Sequence, residues 1–462
     1  MQMKRQIITL LFFVLVINLE ISAQPTFTNQ DKFGAGASLS ADWGDYDNDG
    51  DLDLVVGNIG GDIIFINEGN NIFIESEILD VYPTNFVKWI DLDGDSDLDL
   101  VIGNDEDSPS YLFYNQGNSN LVPVEFLSGY DLSGIDNGDF DNDGDLDLIV
   151  SCWDNAYTAI WLNDGSNNFT HDSENEVFNE AISVLVADVD NDLDLDIIAG
   201  AGCCINQSEV YKNDGTGKFT LFSQFGTENS SLFDLSMNDI DNDGDIDLTA
   251  NNMGSDDVAI YLNDGLGNFS TMLIDNFEYS CCEFGDIDND SDIDLIVGAY
   301  GYYSDRILVY ENNNMNFTKH VIQTGGYEDF PINIVSDIAL GDSDNDGDLD
   351  IAVMRMIFVD EFTFDVEQNS LYVNDLLNQI LIEENNQNYR IYPNPSNSTI
   401  SVRLPEGSIA SDFYLYDIQG RCIIEKSIQT ESQISVSELS NGLYFYKVVV
   451  ENEVFSGKLM KY

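Results

Sequence analysis

The feature that most constrains this chain is a nine-residue pattern, D-x-D-x-D-x-D-x-D, that occurs seven times. Copies start at Asp45, Asp91, Asp139, Asp188, Asp239, Asp286 and Asp342, at intervals of 46, 48, 49, 51, 47 and 56 residues. A second landmark follows each copy: Asn67-Glu-Gly, Asn115-Gln-Gly, Asn163-Asp-Gly, Asn213-Asp-Gly, Asn263-Asp-Gly, Asn312-Asn-Asn and Asn374-Asp. Within a unit, an alternating run enters the acidic loop (Ala37 to Trp43), and a mostly apolar run leaves it (Leu52 to Gly57). A third run leads into the Asn turn (Ile63 to Ile66) and a fourth leaves it (Ile72 to Ile74). Four short strands every 40–50 residues form a unit that has no way to bury both faces alone. Seven such units stacked around an axis bury one another and leave few free edges. The pattern therefore predicts an all-β, seven-bladed β-propeller, with a linear β-solenoid as the alternative. The Gly of the five Asn turns that carry one is expected at positive φ.

The acidic loop has its own chemistry. In Asp45-Tyr-Asp47-Asn-Asp49-Gly50-Asp51-Leu-Asp53, carboxylates stand at positions 1, 3, 5 and 9, with Gly at 6. Hard oxygen ligands converging from one short loop suit Ca²⁺, which takes 6–8 oxygens. Gly at position 6 permits a sharp reversal at positive φ. Position 7 is expected to offer its backbone carbonyl while its own side chain faces solvent. Two carboxylates about 5 Å apart repel by roughly 3 kcal/mol at an effective dielectric near 20, so such a loop calls for a cation. An EF-hand is excluded: its twelfth position needs Glu, where the first copy has Val56, and strands flank the loop. No His or Cys lies within the loops, which disfavours transition metals.

These loops resemble the calcium sites of FG-GAP and VCBS-type repeats, as in the integrin α-subunit propeller, with their D-x-D-x-D-G-x-x-D pattern. The resemblance covers roughly residues 25–385 and implies up to seven structural Ca²⁺ ions. Position by position, it assigns the ligands Asp45, Asp47, Asp49 and Asp53; Asp91, Asp93, Asp95 and Asp99; and Asp139, Asp141, Asp143 and Asp147. The later copies supply Asp188, Asp190, Asp192 and Asp196; Asp239, Asp241, Asp243 and Asp247; Asp286, Asp288, Asp290 and Asp294; and Asp342, Asp344, Asp346 and Asp350. Position 6 departs from Gly at Ser96, Ser291 and Leu193. Leu at positive φ costs on the order of 1 kcal/mol or more, so the Asp188–Asp196 site is expected to be the weakest or most distorted.

The two ends read differently. Lys4 and Arg5 precede a largely apolar run from Ile7 to Ile17, and Ala23 offers a small residue at the cut. This predicts a signal peptide over residues 1–23. The run is too short to span a membrane, and no later segment qualifies. Residues 24–385 hold the propeller and 386–462 a small β-sandwich. From Tyr389 onward, seven Lys/Arg stand against eight Asp/Glu, in alternating runs such as Ile400–Leu404 and Leu443–Val450, divided by turn signals such as Asn441-Gly442. Tyr392-Pro-Asn-Pro-Ser-Asn397, Leu415-Tyr-Asp-Ile-Gln-Gly-Arg421, Leu439-Ser-Asn-Gly-Leu-Tyr-Phe-Tyr446 and Gly457-Lys-Leu-Met-Lys461 are similar to the C-terminal sorting domain of type IX secretion substrates. That resemblance implies passage across the outer membrane of a Bacteroidota-type cell, cleavage of the tail, and release or tethering at the cell surface.

With 85 Asp plus Glu against 16 Lys plus Arg, the net charge is −69. Such a surface repels phosphate backbones and disfavours nucleic acid as a partner. Only two His occur, and no Ser-His-Asp or Cys-His set has the spacing of a nucleophile motif. Residues 25–388 hold seven Lys/Arg, with no basic cluster of the kind a polysaccharide lyase uses. The variable segments between second and third strands carry Trp153, Tyr157, Tyr300, Tyr302 and Tyr303, which can stack on a sugar or grip a peptide, or simply pack. Of six cysteines, the adjacent Cys281 and Cys282 should point to opposite faces of a strand, and Cys203–Cys204 could form a strained vicinal bridge. The sequence thus supports an exported calcium-stabilised binding or adhesion protein with a glycan or surface-protein ligand. The alternative is an extracellular polysaccharide-degrading enzyme on the same scaffold.

Overall fold

The computed structural model describes residues 27–374 and 390–461, apart from short stretches within those ranges. The signal segment, Tyr157, Tyr300, Tyr302, Tyr303 and the Cys203–Cys204 pair lie outside the described residues. Every regular element among the described residues is a β-strand, and no helix there is long and apolar enough to cross a membrane. Blade 1 is an antiparallel sheet of Ser38–Gly44, Asp53–Asn58, Ile63–Asn67 and Phe73–Glu77, in that order from inside out. Blades 2 to 6 repeat this order from inner strands Thr84–Ile90, Leu132–Gly138, Ala181–Ala187, Ser231–Asn238 and Tyr279–Gly285. Blade 7 differs. Its inner three strands are Ile332–Gly341, Asp350–Asp360 and Glu367–Asn374, and its outermost strand is the N-terminal segment Phe27–Gly36. Gln30 pairs with Leu371 across that seam. A further strand, Thr363–Asp365, extends blade 7 by pairing with Asp350–Asp360.

The second strand of each blade explains why seven units close on themselves. Asp53–Asn58 is buried at every position, so its alternate side chains enter two different cores. Leu54 and Val56 pack with Ala352 and Leu371 of blade 7. Val55, one residue along, packs with Leu100 and Ile102 of blade 2. The same alternation yields an apolar cluster at each of the seven blade junctions. Blade 7 meets blade 1, which excludes the open solenoid. Cys281 enters the junction of blades 6 and 7, and Cys282 that of blades 5 and 6. The adjacent cysteines thus face opposite sides, and both are buried thiols outside any disulfide.

The inner strands surround a cavity of about 1140 Å³ on the ring axis. An inner strand has an unpaired edge here, and buried amides need acceptors. The preceding blade supplies them from its side chains. Asp42 accepts the Trp89 amide at 2.8 Å, Asp136 that of Val186 at 2.7 Å, Asp234 that of Cys282 at 2.8 Å and Asp337 that of Ala41 at 2.8 Å. Ser40 and Ser236 do the same for Val87 and Phe284. Lys88 pairs with Asp136 at 2.6 Å. The acids are there to cap an edge, yet they stand close enough to repel. Burial pushes Asp42 and Asp234 up to about 6. Burial, with the nearby Asp234 charge, pushes Glu283 to about 8.

The C-terminal module is a separate β-sandwich. A three-stranded sheet (Arg390–Tyr392, Thr399–Arg403, Glu431–Ser435) and a four-stranded sheet (Cys422–Ile428, Ser411–Tyr416, Gly442–Val450, Glu453–Lys461) share one core. That core contains Ile400, Val402, Phe413, Leu415, Ile434, Tyr446 and Val448.

Glu283 gives a pH prediction. Its folded pKa exceeds the unfolded value, so the ionised form destabilises the fold. The penalty is absent below about pH 4 and complete above about pH 8. Glu283→Gln, which keeps the acceptor for Ser236 Oγ at 2.7 Å, is expected to raise the melting temperature at pH 8.5 and leave it unchanged at pH 4. Equal shifts at both values would sink this account.

Candidate metal centre

All seven acidic loops connect an inner strand to a second strand, so they gather on one face of the ring. Each loop is built from backbone amides folded onto carboxylates. Position 1 accepts the amide of position 6: Gly50 to Asp45 at 3.1 Å, Leu193 to Asp188 at 2.9 Å, Gly347 to Asp342 at 2.9 Å. Position 5 accepts the amide of position 7, as in Asp51 to Asp49 at 3.0 Å. Two positive-φ residues allow this winding. Position 6 has φ of 96° at Gly50, 75° at Ser96, 77° at Leu193 and 78° at Ser291. Position 4 was not anticipated from the sequence: Asn48, Asn142, Asn191, Asn242, Asn289 and Asn345 lie at φ of 57–62°, and Gly94 at 72°. Asn tolerates the left-handed region better than other side-chain-bearing residues, and its recurrence at position 4 was the signal available.

Position 9 is the most buried member. Asp53, Asp99, Asp247, Asp294 and Asp350 are fully inaccessible, and Asp147 and Asp196 are nearly so. Each carboxylate joins two segments. Asp53 accepts the Tyr46 amide of its own loop at 3.2 Å and the Asn67 amide of the third-strand turn at 2.8 Å. Asp99 does the same for Leu92 and Asn115 at 2.9 and 2.7 Å, and Asp294 for Ile287 and Asn312 at 2.9 and 2.7 Å. Two amides per carboxylate leave lone pairs over, and burial still dominates. It raises Asp53, Asp99, Asp247 and Asp350 to about 7, Asp147 and Asp196 to about 6, and Asp294 to about 8.

Carboxylate oxygens of positions 1, 3 and 9 converge. In Asp45–Asp47–Asp53, Asp91–Asp93–Asp99, Asp139–Asp141–Asp147, Asp188–Asp190–Asp196 and Asp239–Asp241–Asp247 they lie within 4.8 Å of one another. Position 5 (Asp49, Asp95, Asp143, Asp192, Asp243) is not part of these clusters. Asp286, Asp288, Asp290 and Asp294, like Asp342, Asp344, Asp346 and Asp350, occupy the equivalent loop positions in blades 6 and 7. Several converging oxygens are buried without a hydrogen-bond donor: Asp45 Oδ1, Asp93 Oδ1, Asp141 Oδ1 and Asp190 Oδ1. Buried acceptors are almost always satisfied. An all-oxygen donor set with orphaned buried oxygens fits a hard cation.

Two expectations are modified. The position-7 side chain lies at the surface but is mostly half-buried and hydrogen-bonded rather than free in solvent. Asp51, Asp97, Asp194, Asp245, Asp292 and Asp348 accept the position-4 Asn of the preceding loop, in pairs such as Asn48–Asp97 and Asn191–Asp245, both at 2.7 Å. The Asp188–Asp196 loop keeps the same internal hydrogen bonds as its neighbours, so Leu193 does not distort it. It carries the strain as an 88%-exposed side chain at positive φ. A second handicap is Lys212, whose Nζ lies 2.6 Å from Asp190 Oδ2. Of the aromatic residues on the variable face, Trp153 is described. It is 47% exposed and borders the axial cavity.

Fold and loops together define a β-propeller whose blades each carry an acidic loop, and in blades 1 to 5 its carboxylates converge closely enough to hold a metal ion. Residues 91–150, 139–199, 188–250 and 286–353 match the FG-GAP-like repeat, and each match begins at position 1 of a loop. Residues 390–462 match the secretion system C-terminal sorting domain. The chain is thus a propeller of FG-GAP-like repeats with a sorting tail that indicates type IX export to the cell surface or extracellular space. Similar solved structures include an Agrocybe aegerita lectin described as recognising non-reducing terminal N-acetylglucosamine, 18% identical with a TM-score of 0.46, covering 65% of this chain and 81% of that one. Another is the extracellular domain of a hybrid two-component system from B. thetaiotaomicron, 11% identical with a TM-score of 0.46, covering 95% of this chain and 58% of that one. No curated protein matches.

The Leu193 strain is testable. Leu193→Gly should raise stability by about 1 kcal/mol, read by denaturant titration. A neutral or destabilising result would mean that the left-handed conformation at this position is not strained.

Proposed function

We propose that this chain is an exported, calcium-stabilised binding or adhesion protein whose ligand, a glycan or a surface protein, docks on the face opposite the acidic loops. The observation that carries the reading is the set of orphaned, buried oxygens in loops 1 to 4, Asp45, Asp93, Asp141 and Asp190 Oδ1, within a loop pattern that recurs seven times on one face. They ask for a cation in those loops, the recurring pattern extends that reading to the other three, and the opposite face, with Trp153 and the cavity mouth, is left for variation. Residues 1–23 act as signal peptide, 24–385 as the binding propeller, and 386–462 as the tail handed to the type IX machinery. Positions 1, 3, 5 and 9 of each loop, the 28 aspartates named above, hold the ion, with positions 1, 3 and 9 forming its tightest contacts. Calcium here supplies charge compensation and geometry. A polysaccharide-degrading enzyme on the same scaffold is the competing reading.

Extracellular modules bind Ca²⁺ with Kd around 10⁻⁴–10⁻³ M. At 10 mM Ca²⁺, each filled site then adds about 1.4–2.7 kcal/mol. Chelation should therefore lower the melting temperature of the mature protein steeply, with recovery on adding Ca²⁺ but not Mg²⁺. An unchanged melt after chelation contradicts a structural cation. A glycan array run beside polysaccharide breakdown assays addresses the ligand. The binding reading expects retention without product, weakened by Trp153→Ala. Product formation abolished by changing carboxylates on the variable face, with folding intact, would favour the enzyme.

A further inference from the structure

The acidic loops touch one another. At six of the seven blade junctions, the position-4 Asn of one loop donates from Nδ2 to the position-7 Asp of the next. The pairs are Asn48–Asp97 (2.7 Å), Asn142–Asp194 (3.4 Å), Asn191–Asp245 (2.7 Å), Asn242–Asp292 (3.1 Å), Asn289–Asp348 (2.7 Å) and Asn345–Asp51 (2.5 Å). Asn48 stands between the position-3 and position-5 carboxylates of its own loop. Asp97 stands between those of positions 5 and 9 of the next. Each bond therefore spans from the ligand set of one loop to that of its neighbour.

A second set of bonds follows the same path. The turn Asn of a blade donates to the position-2 carbonyl of the preceding loop, as in Asn115 to Tyr46 (3.1 Å) and Asn263 to Val189 (2.9 Å).

The junction of blades 2 and 3 breaks both sets. Position 4 of loop 2 is Gly94, which has no side chain to offer Asp145. The turn Asn of blade 3, Asn163, bonds the Leu146 carbonyl of its own blade. Among the described residues it makes no bond to a loop 2 carbonyl. On the loop face, this junction has a long Asn167–Asp93 contact of 3.4 Å in their place.

We propose that the position-4 Asn is a positioning residue that couples adjacent metal loops. The seven loops then form one belt, running from loop 3 through loops 4, 5, 6, 7 and 1 to loop 2, open at Gly94. A loop wound tight around its ion holds its Asn in place, and that Asn fixes the position-7 residue of the next loop. Ordering in one loop thus favours ordering in the next. Loops 2 and 3, adjacent on the ring, are the two ends of the series. The inference rests on the calcium reading for what fills the loops, but the belt itself is made of hydrogen bonds that exist without it.

Gly94 provides a direct test. Its φ of 72° is within reach of Asn, and an added Cβ meets nothing within 4 Å. In the full mature protein, Gly94→Asn should close the belt and raise the melting temperature by about 1–2 °C. Gly94→Ala, with strain and no amide, should lower it. The exchange pair separates position from packing. Asn191→Asp should destabilise by setting two carboxylates face to face. Combining it with Asp245→Asn, which restores a donor–acceptor pair, should recover most of the loss. In calcium titrations, Asn191→Ala should flatten the binding curve and weaken the later-filling sites about fivefold.

If Gly94→Asn behaves like Gly94→Ala, or if the exchange pair is additive in melts with and without chelator, the belt is overturned. If no calcium binds but the exchange pair still rescues the chelated protein, the belt stands as a structural coupling and the calcium reading fails. Calcium binding with an unchanged curve in Asn191→Ala leaves that reading intact and overturns the coupling.

Discussion

The buried carboxylate at position 9 is the interaction on which the architecture turns. Asp53 is at once the end of the acidic loop, the first residue of the second strand and the acceptor for the turn joining third and fourth strands. One side chain therefore fixes three segments of a blade at one point. Removing water from a carboxylate is expensive, and two amide donors offset part of that cost. With that point fixed, the apolar strand from Leu54 onward is aimed between two neighbouring blades. Its alternation then divides the core into seven junctions rather than seven separate interiors. The same device repeats at Asp99, Asp147, Asp196, Asp247, Asp294 and Asp350.

Carboxylates solve two distinct problems in this molecule. In the loops they gather around a point and invite a cation. In the axial cavity, Asp42, Asp136, Asp234 and Asp337 cap the free amide edges of inner strands. Apart from the Lys88 ion pair at Asp136, capping does not require the negative charge, since a serine performs it at Ser40 and Ser236. The acidity of the chain is thus partly a property of the clustered loops and partly one of strand edges.

Much of this was legible in the sequence because the repeat carries its own geometry. The spacing of aspartates, the apolar run after each and the Asn-Asp-Gly landmark located the strands and the seven-fold count. Three things were not legible. Closure of blade 7 by Phe27–Gly36 lies outside the repeat, since that segment has no loop motif to mark it. Capping of inner edges depends on which residue faces the next blade, a consequence of ring geometry rather than of local pattern. The partner of position 7 comes from the neighbouring loop, so no single loop's sequence contains it. An exposed aspartate in an isolated loop becomes an acceptor once a neighbouring Asn48 or Asn191 reaches it.

The borrowed strand in blade 7 also sets an order of events. Gln30 meets Leu371 across most of the length of the propeller chain. Contacts of such separation form late, because loop closure is paid for before the pairing rewards it. Until then, Glu367–Asn374 presents an unpaired edge, the kind of template that recruits another chain. The circle is therefore a last-step structure. Six blades can assemble in sequence from neighbouring segments, but the seventh waits for the earliest strand to return, and that return covers the Glu367–Asn374 edge with a strand from the chain's own beginning.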